Sequence, residues 1–336
     1  MYILNAIVPL SNFVLVPVIA YGSQLALGAL GLTLIYGILR FSNFAHGDTM
    51  AFGTMVVVLF TWWFQSMGIT LGPLPTALLA LPFGIAATAL LLLGTDRMVY
   101  QFYREQKAAP VILVIVSMGV MFNMNGLVLI IIGPDNQKFG DGARFIIKAR
   151  DFKEMTGLSE GLAFKTSQAI TIVTAIAVVA LLFWFLNRTR SGKSMRAFSD
   201  NEDLALLSGI NPERVVTITW ILVAILTTVA GVLYGLDKSF KPFTYFQLLL
   251  PIFASAVVGG LGNPLGAIGG GFLVAYSDVA VTYAFKLVLK YWLPAGLQPS
   301  GLVQLMGTDY KYAVSFAILI IVLLFKPTGL FKGKSV

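Results

Sequence analysis

Apolar runs of about twenty residues, parted by short polar patches, are the dominant pattern of this chain. A run of that length suits a helix crossing roughly 30 Å of membrane hydrocarbon, whereas barrel strands would be about ten residues long and alternating. The pattern predicts helices at about 14–39, 47–65, 74–95, 109–132, 168–187, 214–236, 246–261, 264–286 and 311–327. Residues 2–13 read as a short interfacial stretch or as a tenth span. The expected class is therefore all-α: a polytopic helical membrane protein of about nine spans (eight to ten), some of them broken, in one integral domain over residues 1–336. The long polar connections fall at 133–167 and 188–213, with a third, containing Trp, Pro and Gly, at 287–310.

Composition narrows the class. Hydrophobic residues make up 57% of the chain and charged residues 11%, against about 25% charged in soluble domains. So few charges cannot cover a soluble surface or support disorder. There is no cysteine and one histidine, His46, which leaves little for thiolate chemistry, a metal cluster or a His-based triad. No catalytic residue, metal or resident cofactor is expected. The net charge of +8 fits cytoplasmic loops and anionic lipid, with no role for nucleic acid. The first charge is Arg40, so no leader with a basic start is legible. Lys plus Arg totals are nearly equal on the two sides. Arginine alone is lopsided: Arg40, Arg97, Arg104, Arg188, Arg190, Arg196 and Arg214 fall on one side, Arg144 and Arg150 on the other. This places the N-terminus outside and the C-terminus in the cytoplasm.

The 188–213 connection has readable local logic. Ser199 with Glu202 forms a capping box that starts a short helix over about 200–208, and Asp200, Glu202 and Asp203 crowd its first turn. Gly209 suits the stop, and Asn211 with Pro212 starts the next helix. Such a helix, with a cationic flank, reads either as an ordinary loop or as a docking element. Gly192-Lys193-Ser194 is no phosphate-binding loop, because position 187 is Asn where the motif needs Gly.

Thr189-Arg190, Gly192, Arg196-Ala197, Ala205 and Gly209-Ile210, followed by Ala230-Gly231-Val232, resemble the cytoplasmic signature of permeases in the branched-chain amino-acid branch of ABC importers. Asn43-Phe44-Ala45-His46-Gly47, Gly259-Gly260-Leu261-Gly262-Asn263-Pro264 and Lys326-Pro327-Thr328-Gly329-Leu330-Phe331 match the same family in the same order. The resemblance implies that the short helix is a coupling helix seated in a groove of a cytoplasmic ATPase. Thr189, Arg190, Gly192, Arg196, Ala197, Asp200, Ala205, Gly209 and Ile210 then form the coupling group. It further implies a second homologous permease, ATPase subunits that bind the ATP, a periplasmic solute-binding protein and an inner-membrane location. The implied cargo is a branched-chain amino acid or a related small polar solute such as urea or a short amide.

Three features lie within the apolar part. The turn Arg40 to Asp48 interrupts two spans with a Gly and polar groups. Asn43 is placed to cap the following helix, whose positive end would face a passing carboxylate. Asn43, His46, Gly47 and Asp48 are either a hydrogen-bonded structural cluster or part of the pathway or gate. Gly262, Gly266 and Gly270 recur every four residues, a close-packing face or a hinge; Gly259, Gly260 and Asn263 belong to the same break. Asp278 sits inside an apolar run and marks a pathway residue or a buried partner. Asn123 and Asn125 point to different helix faces, with inter-helix bonding as the expected job. The rival function is a stand-alone ion-coupled transporter or channel, with Asp278 at its centre.

Overall fold

The computed structural model describes residues 2–140, 144–286, 288–289, 301, 303–307 and 310–331. Helix α1 (Tyr2–Leu10), a π-helical turn (Ser11–Leu15) and α2 (Val16–Leu39) follow without a break. Pro9 and Pro17 flank the wide turn, where the missing proline N–H groups disturb the α ladder. Residues 2–13 are thus the continuation of the first span and not a tenth one. Asn5 and Asn12 fix this end by accepting from the backbone N–H of Ser159 (3.2 Å) and Ala163 (3.3 Å).

The next helices are α3 (His46–Ser66), α4 (Ala77–Thr95), α5 (Gln101–Glu105) and α6 (Pro110–Ile132). A second π-helical turn, Asp96–Tyr100, joins α4 to α5. A small antiparallel pair, β1 (Phe145–Ile147) with β2 (Phe164–Lys165), flanks α7 (Ala149–Thr156). Then come α8 (Thr166–Arg188), α9 (Arg190–Asp200), α10 (Glu202–Leu207), α11 (Pro212–Lys238), α12 (Pro242–Gly259), α13 (Pro264–Thr282) and α14 (Lys311–Phe325). Among the described residues, eight helices are long and apolar enough to cross a membrane, and α14, at 15 residues, is shorter. The last of the nine expected spans is therefore the shortest of them, well under the usual twenty. The expected connection 287–310 lies largely outside the described residues.

Burial sorts these helices. Along α2 nearly every residue is buried, and it packs against α8, α11, α12 and α13. By contrast α4, α6 and α8 turn large apolar side chains outward, among them Leu90, Phe122, Ile130 and Trp184. In a membrane protein such faces meet lipid or another subunit. The centre is tightened by threonines that bond the carbonyl one turn back, as Thr54, Thr61 and Thr88 do. Where α4 meets α11, the Thr228 hydroxyl donates to that of Thr88 at 3.0 Å.

The alternation of helices gives the bundle two ends. The upper end carries Tyr2 and residues 67–76, 133–140, 144–165 and 239–241. It is tied by Trp62 Nε1 donating to the Lys138 carbonyl (3.0 Å), Gln65 Nε2 to the Phe139 carbonyl (2.8 Å), and a bridge between Gln137 and Phe240. The lower end carries residues 189–211, 260–263 and 326–331. There Asn263 Nδ2 donates to the Phe331 carbonyl (2.8 Å) and Leu330 N–H to the Val258 carbonyl (2.8 Å).

Candidate functional site

At the lower end, α9 and α10 form a two-helix bracket. Thr189 caps α9, its Oγ1 accepting from Gly192 N–H (3.0 Å) while donating to the Phe185 carbonyl (2.7 Å). Gly192, Met195 and Phe198 lie three residues apart and form the buried face of α9. A Cβ on Gly192 would collide with the Phe185 carbonyl, so the α8–α9 corner requires glycine. Arg190, Arg196, Ala197 and Asp200 are on the exposed side.

The expected capping box is not what starts the short helix. The residue in extended conformation is Asn201 (φ −151°, ψ 107°), and its Oδ1 accepts from Leu204 N–H at 3.0 Å. Ser199 lies in α9 and donates from Oγ to the Gly37 carbonyl (3.0 Å), while its own carbonyl accepts from Arg40 Nη2 (2.5 Å). The buried face of α9 keeps that helix going to Asp200, so the short helix spans Glu202–Leu207 in place of 200–208, with Asp200 outside it. Gly209 stops it in left-handed conformation (φ +77°), and Asn211 Oδ1 caps α11 through Arg214 N–H (3.2 Å), as expected. Ala205 faces the bundle, with Ile210 half-buried. The outward face of α10 is apolar: Leu204 is 61% and Leu207 85% exposed. The cations expected along the flank sit on α9 instead. The signal was present in Leu204-Ala205-Leu206-Leu207, an apolar run too short to count as a span.

The Arg40–Asp48 turn is buried. Arg40 closes α2 in left-handed conformation (φ 58°), and the chain then folds back into the bundle. His46 bonds Gly28, eleven residues before the end of α2, about 16 Å along the axis at 1.5 Å per residue. The first turn of α3 thus lies well inside the bundle. His46 Nε2 is 2.8 Å from the Gly28 carbonyl, which can only accept, so Nε2 carries the proton, and the buried Nδ1 has no partner. Asp48 Oδ1 accepts from Asn125 Nδ2 (2.8 Å), and Oδ2 has no partner. Asn125 therefore does the inter-helix bonding, while Asn123 is exposed. Gly47 lets the Tyr245 carbonyl of α12 approach. Asn43 does not cap α3. Its Oδ1 accepts from Ala45 N–H (3.0 Å) and from the Tyr100 hydroxyl (3.3 Å), one residue short of the helix. Phe44 N–H goes to Ser117 Oγ (3.1 Å).

The glycine break is a hairpin between α12 and α13. Asn263 caps α13 through Gly266 N–H (3.1 Å). Gly262 lies in the turn (φ +81°) and not on the helical face expected for it. The close approach instead pairs Gly259 with Gly266 and Gly270 with the Ser255 carbonyl, where any Cβ would strike backbone. Asp278 is near the upper end of α13 and its partner is Ser315, whose Oγ lies 2.8 Å from both carboxylate oxygens. Lys311, one turn earlier on α14, places its Nζ 4.2 Å from the Tyr21 ring centre. The pathway candidates therefore occupy three stations with different neighbours: Asp278 high, the His46–Asp48 turn deep, and Gly259, Gly260, Gly262 and Asn263 low. The lower station meets the coupling group in a cavity of about 360 Å³ lined by Arg196, Asp200, Gly262 and Asn263 among others.

Comparison with known proteins agrees with this architecture. Residues 14–323 match the family model described as branched-chain amino acid transport system / permease component. The chain is 31% identical over 320 residues to the high-affinity branched-chain amino acid transport system permease protein LivH of Escherichia coli, covering 93% of this chain and 92% of that protein. It is 27% identical to the permease protein BraD of the corresponding Pseudomonas aeruginosa system, covering 92% of each. A shorter match, 33% over 138 residues (39% of this chain, 40% of the other), is to the galactose/methyl galactoside import permease protein MglC of Haemophilus influenzae. No solved structure matches. A buried central helix, lipid-type outer faces and full-length similarity converge on one conclusion: this chain is a polytopic transport permease and belongs to the branched-chain amino acid transport system permease component family.

Proposed function

We propose that this protein is the membrane subunit of an ATP-driven importer in the inner membrane, carrying branched-chain amino acids or a related small polar solute inward. The lower end faces the cytoplasm and the upper end receives solute from a periplasmic binding protein. A second homologous permease completes the translocator, and ATP is bound and hydrolysed on separate cytoplasmic subunits. The observation that carries this reading is α10: a short, twice-capped helix that turns Leu204 and Leu207 away from its own bundle, beside Arg190 and Arg196. Exposed leucines next to cations suit insertion into a groove on a soluble partner. Closure of the ATPases would move this bracket, and the bonds from Ser199 and Arg40 would transmit the motion to the lower ends of α2 and α9 and so to the buried turn.

The test is purification of the whole assembly in mild detergent with Leu204→Glu/Leu207→Glu, and separately with Arg196→Glu. Loss of the ATPase subunits with an unchanged melting temperature of the permease is the expected result. Retention of the ATPases by both variants would refute the assignment of α10 as the coupling element.

A further inference from the structure

Polar side chains within the apolar helices find partners inside the chain at several depths. Thr54 bonds the carbonyl one turn back, Gln24 donates to the Leu233 carbonyl, Asn125 donates to Asp48 and Asp278 accepts from Ser315. Asn123 differs. It is the fourteenth of the 23 residues of α6, about 14 Å from the nearer end, and it is exposed. Among the described residues its carboxamide has no hydrogen-bond partner, and no other amide or charged side chain is exposed midway along a span. The face beside it is open. Ile115, Gly119, Phe122, Gly126 and Ile130 recur every three or four residues and so share one side of α6. Phe122 is 70% exposed, and a Cβ built on Gly119 or Gly126 would meet nothing within 4 Å. The glycines are hollows around a projecting ring. By contrast α4 and α8 turn Leu90 and Trp184 outward with no amide exposed midway, which suits lipid.

Hydrocarbon offers an amide no hydrogen bond, and a polar residue at this depth faces protein or a water-filled cavity. Another membrane helix satisfies it, and the two glycines let that helix approach closely. A carboxamide is both donor and acceptor, so across a two-fold axis it is complementary to its own counterpart. The same helix holds the buried 40–48 turn from its other sides, through Asn125 to Asp48 and Ser117 to Phe44. We propose that this face of α6 is the contact with the second permease, whose own counterpart of α6 is set against this one about a two-fold axis, with Asn123 in the seam. The proposal rests on the transport reading above, from which it takes the existence of a second permease. It adds which surface meets that subunit, and it puts the buried turn one helix away from the seam.

The test uses the whole assembly in its membrane. The photoreactive residue p-benzoylphenylalanine replaces Phe122 in one variant, Trp184 of α8 in a second and Leu90 of α4 in a third. After irradiation the adducts of this chain are identified by mass. The expected result is a permease adduct from Phe122, either a second copy of this chain or the homologue that copurifies with it, mapped to the partner's counterpart of α6. Trp184 and Leu90 should give lipid adducts. Separately, Asn123→Leu should lower the second permease recovered per copy of this chain in mild detergent by about threefold to tenfold, the range of a polar bond between membrane helices. The melting temperature of the chain should not fall, and Asn123→Gln, which keeps the carboxamide, should retain the partner. Lipid adducts alone at Phe122, capture of the second permease from Trp184 or Leu90 in place of Phe122, or undiminished recovery with Asn123→Leu would overturn the surface. ATP-driven leucine uptake by the unsubstituted assembly is measured alongside: uptake without the Phe122 adduct defeats the surface alone, whereas the adduct without uptake supports the surface and defeats the transport reading.

Discussion

Two polar interruptions, the 189–211 bracket and the 40–48 turn, solve the same problem in opposite ways. Each breaks a helical run and leaves backbone groups to satisfy. In the bracket the helix ends are closed locally, with Thr189, Asn201 and Asn211 each capping a helix within three residues of themselves, and Ser199 makes the bonds to Gly37 and Arg40 that tie it to the bundle. In the buried turn the partners come from far along the chain, with Phe44 bonded to Ser117, Asn43 to Tyr100, His46 to Gly28 and Asp48 to Asn125. A locally closed element stands in water and keeps its shape while a partner pushes on it. An element closed by three other segments, α2, the Asp96–Tyr100 turn and α6, is inseparable from their packing and responds when any of them moves.

That contrast is open to attack by substitution, and the largest effect is expected in the buried turn. Asn125→Leu leaves the Asp48 carboxylate buried with neither oxygen bonded, and should lower stability by about 3 kcal/mol, read as a shifted denaturation midpoint in detergent. An unchanged midpoint would mean that Asp48 is not held through Asn125. Gly192→Val, at the corner where the bracket meets α8, forces Cβ against the Phe185 carbonyl and should cost about 2 kcal/mol, with α9 swung out of place. Proteolysis within 189–211 should accelerate accordingly. Asn201→Ala removes one local cap and should cost about 1 kcal/mol, with Asn201→Asp restoring it. The smallest stability effect belongs to Leu207→Ala. At 85% exposure the change should be within about 0.5 kcal/mol, yet ATPase recovery should fall, which separates docking from folding.

Asp278 extends the comparison to the upper end. Taken alone, an intramembrane carboxylate suggests an ion-coupled site. In the fold it accepts from Ser315 and feels the charge of Lys311, joining α13 to the short α14. Ser315→Ala should loosen α14 more than it alters uptake, measured as faster hydrogen exchange over residues 311–325.

Much of the coupling region was legible along the chain because its determinants are local. Asn211-Pro212 and Gly209 read correctly as a start and a stop. The misplaced cap at Ser199 has a tertiary cause: the hydroxyl is drawn to Gly37 across 162 positions, and the buried face of α9 carries its helix past the expected boundary. The same holds for Gly262, whose four-residue spacing from Gly266 suggested one helical face until the turn at Asn263 put the two on different elements.

By itself, the sequence determined that this is a helical membrane protein, roughly where its spans lie, and which family it joins. Those facts follow from hydrophobic length, from caps acting over three or four residues, and from short ordered motifs. Tertiary structure alone decided that residues 2–13 prolong the first span, that Leu204 and Leu207 face outward, and that Asp48 meets Asn125 and Asp278 meets Ser315. Each of these depends on which helices become neighbours. In an apolar bundle that choice is made by close packing of small residues and by the few polar groups that must find partners, and both act between segments far apart in the chain.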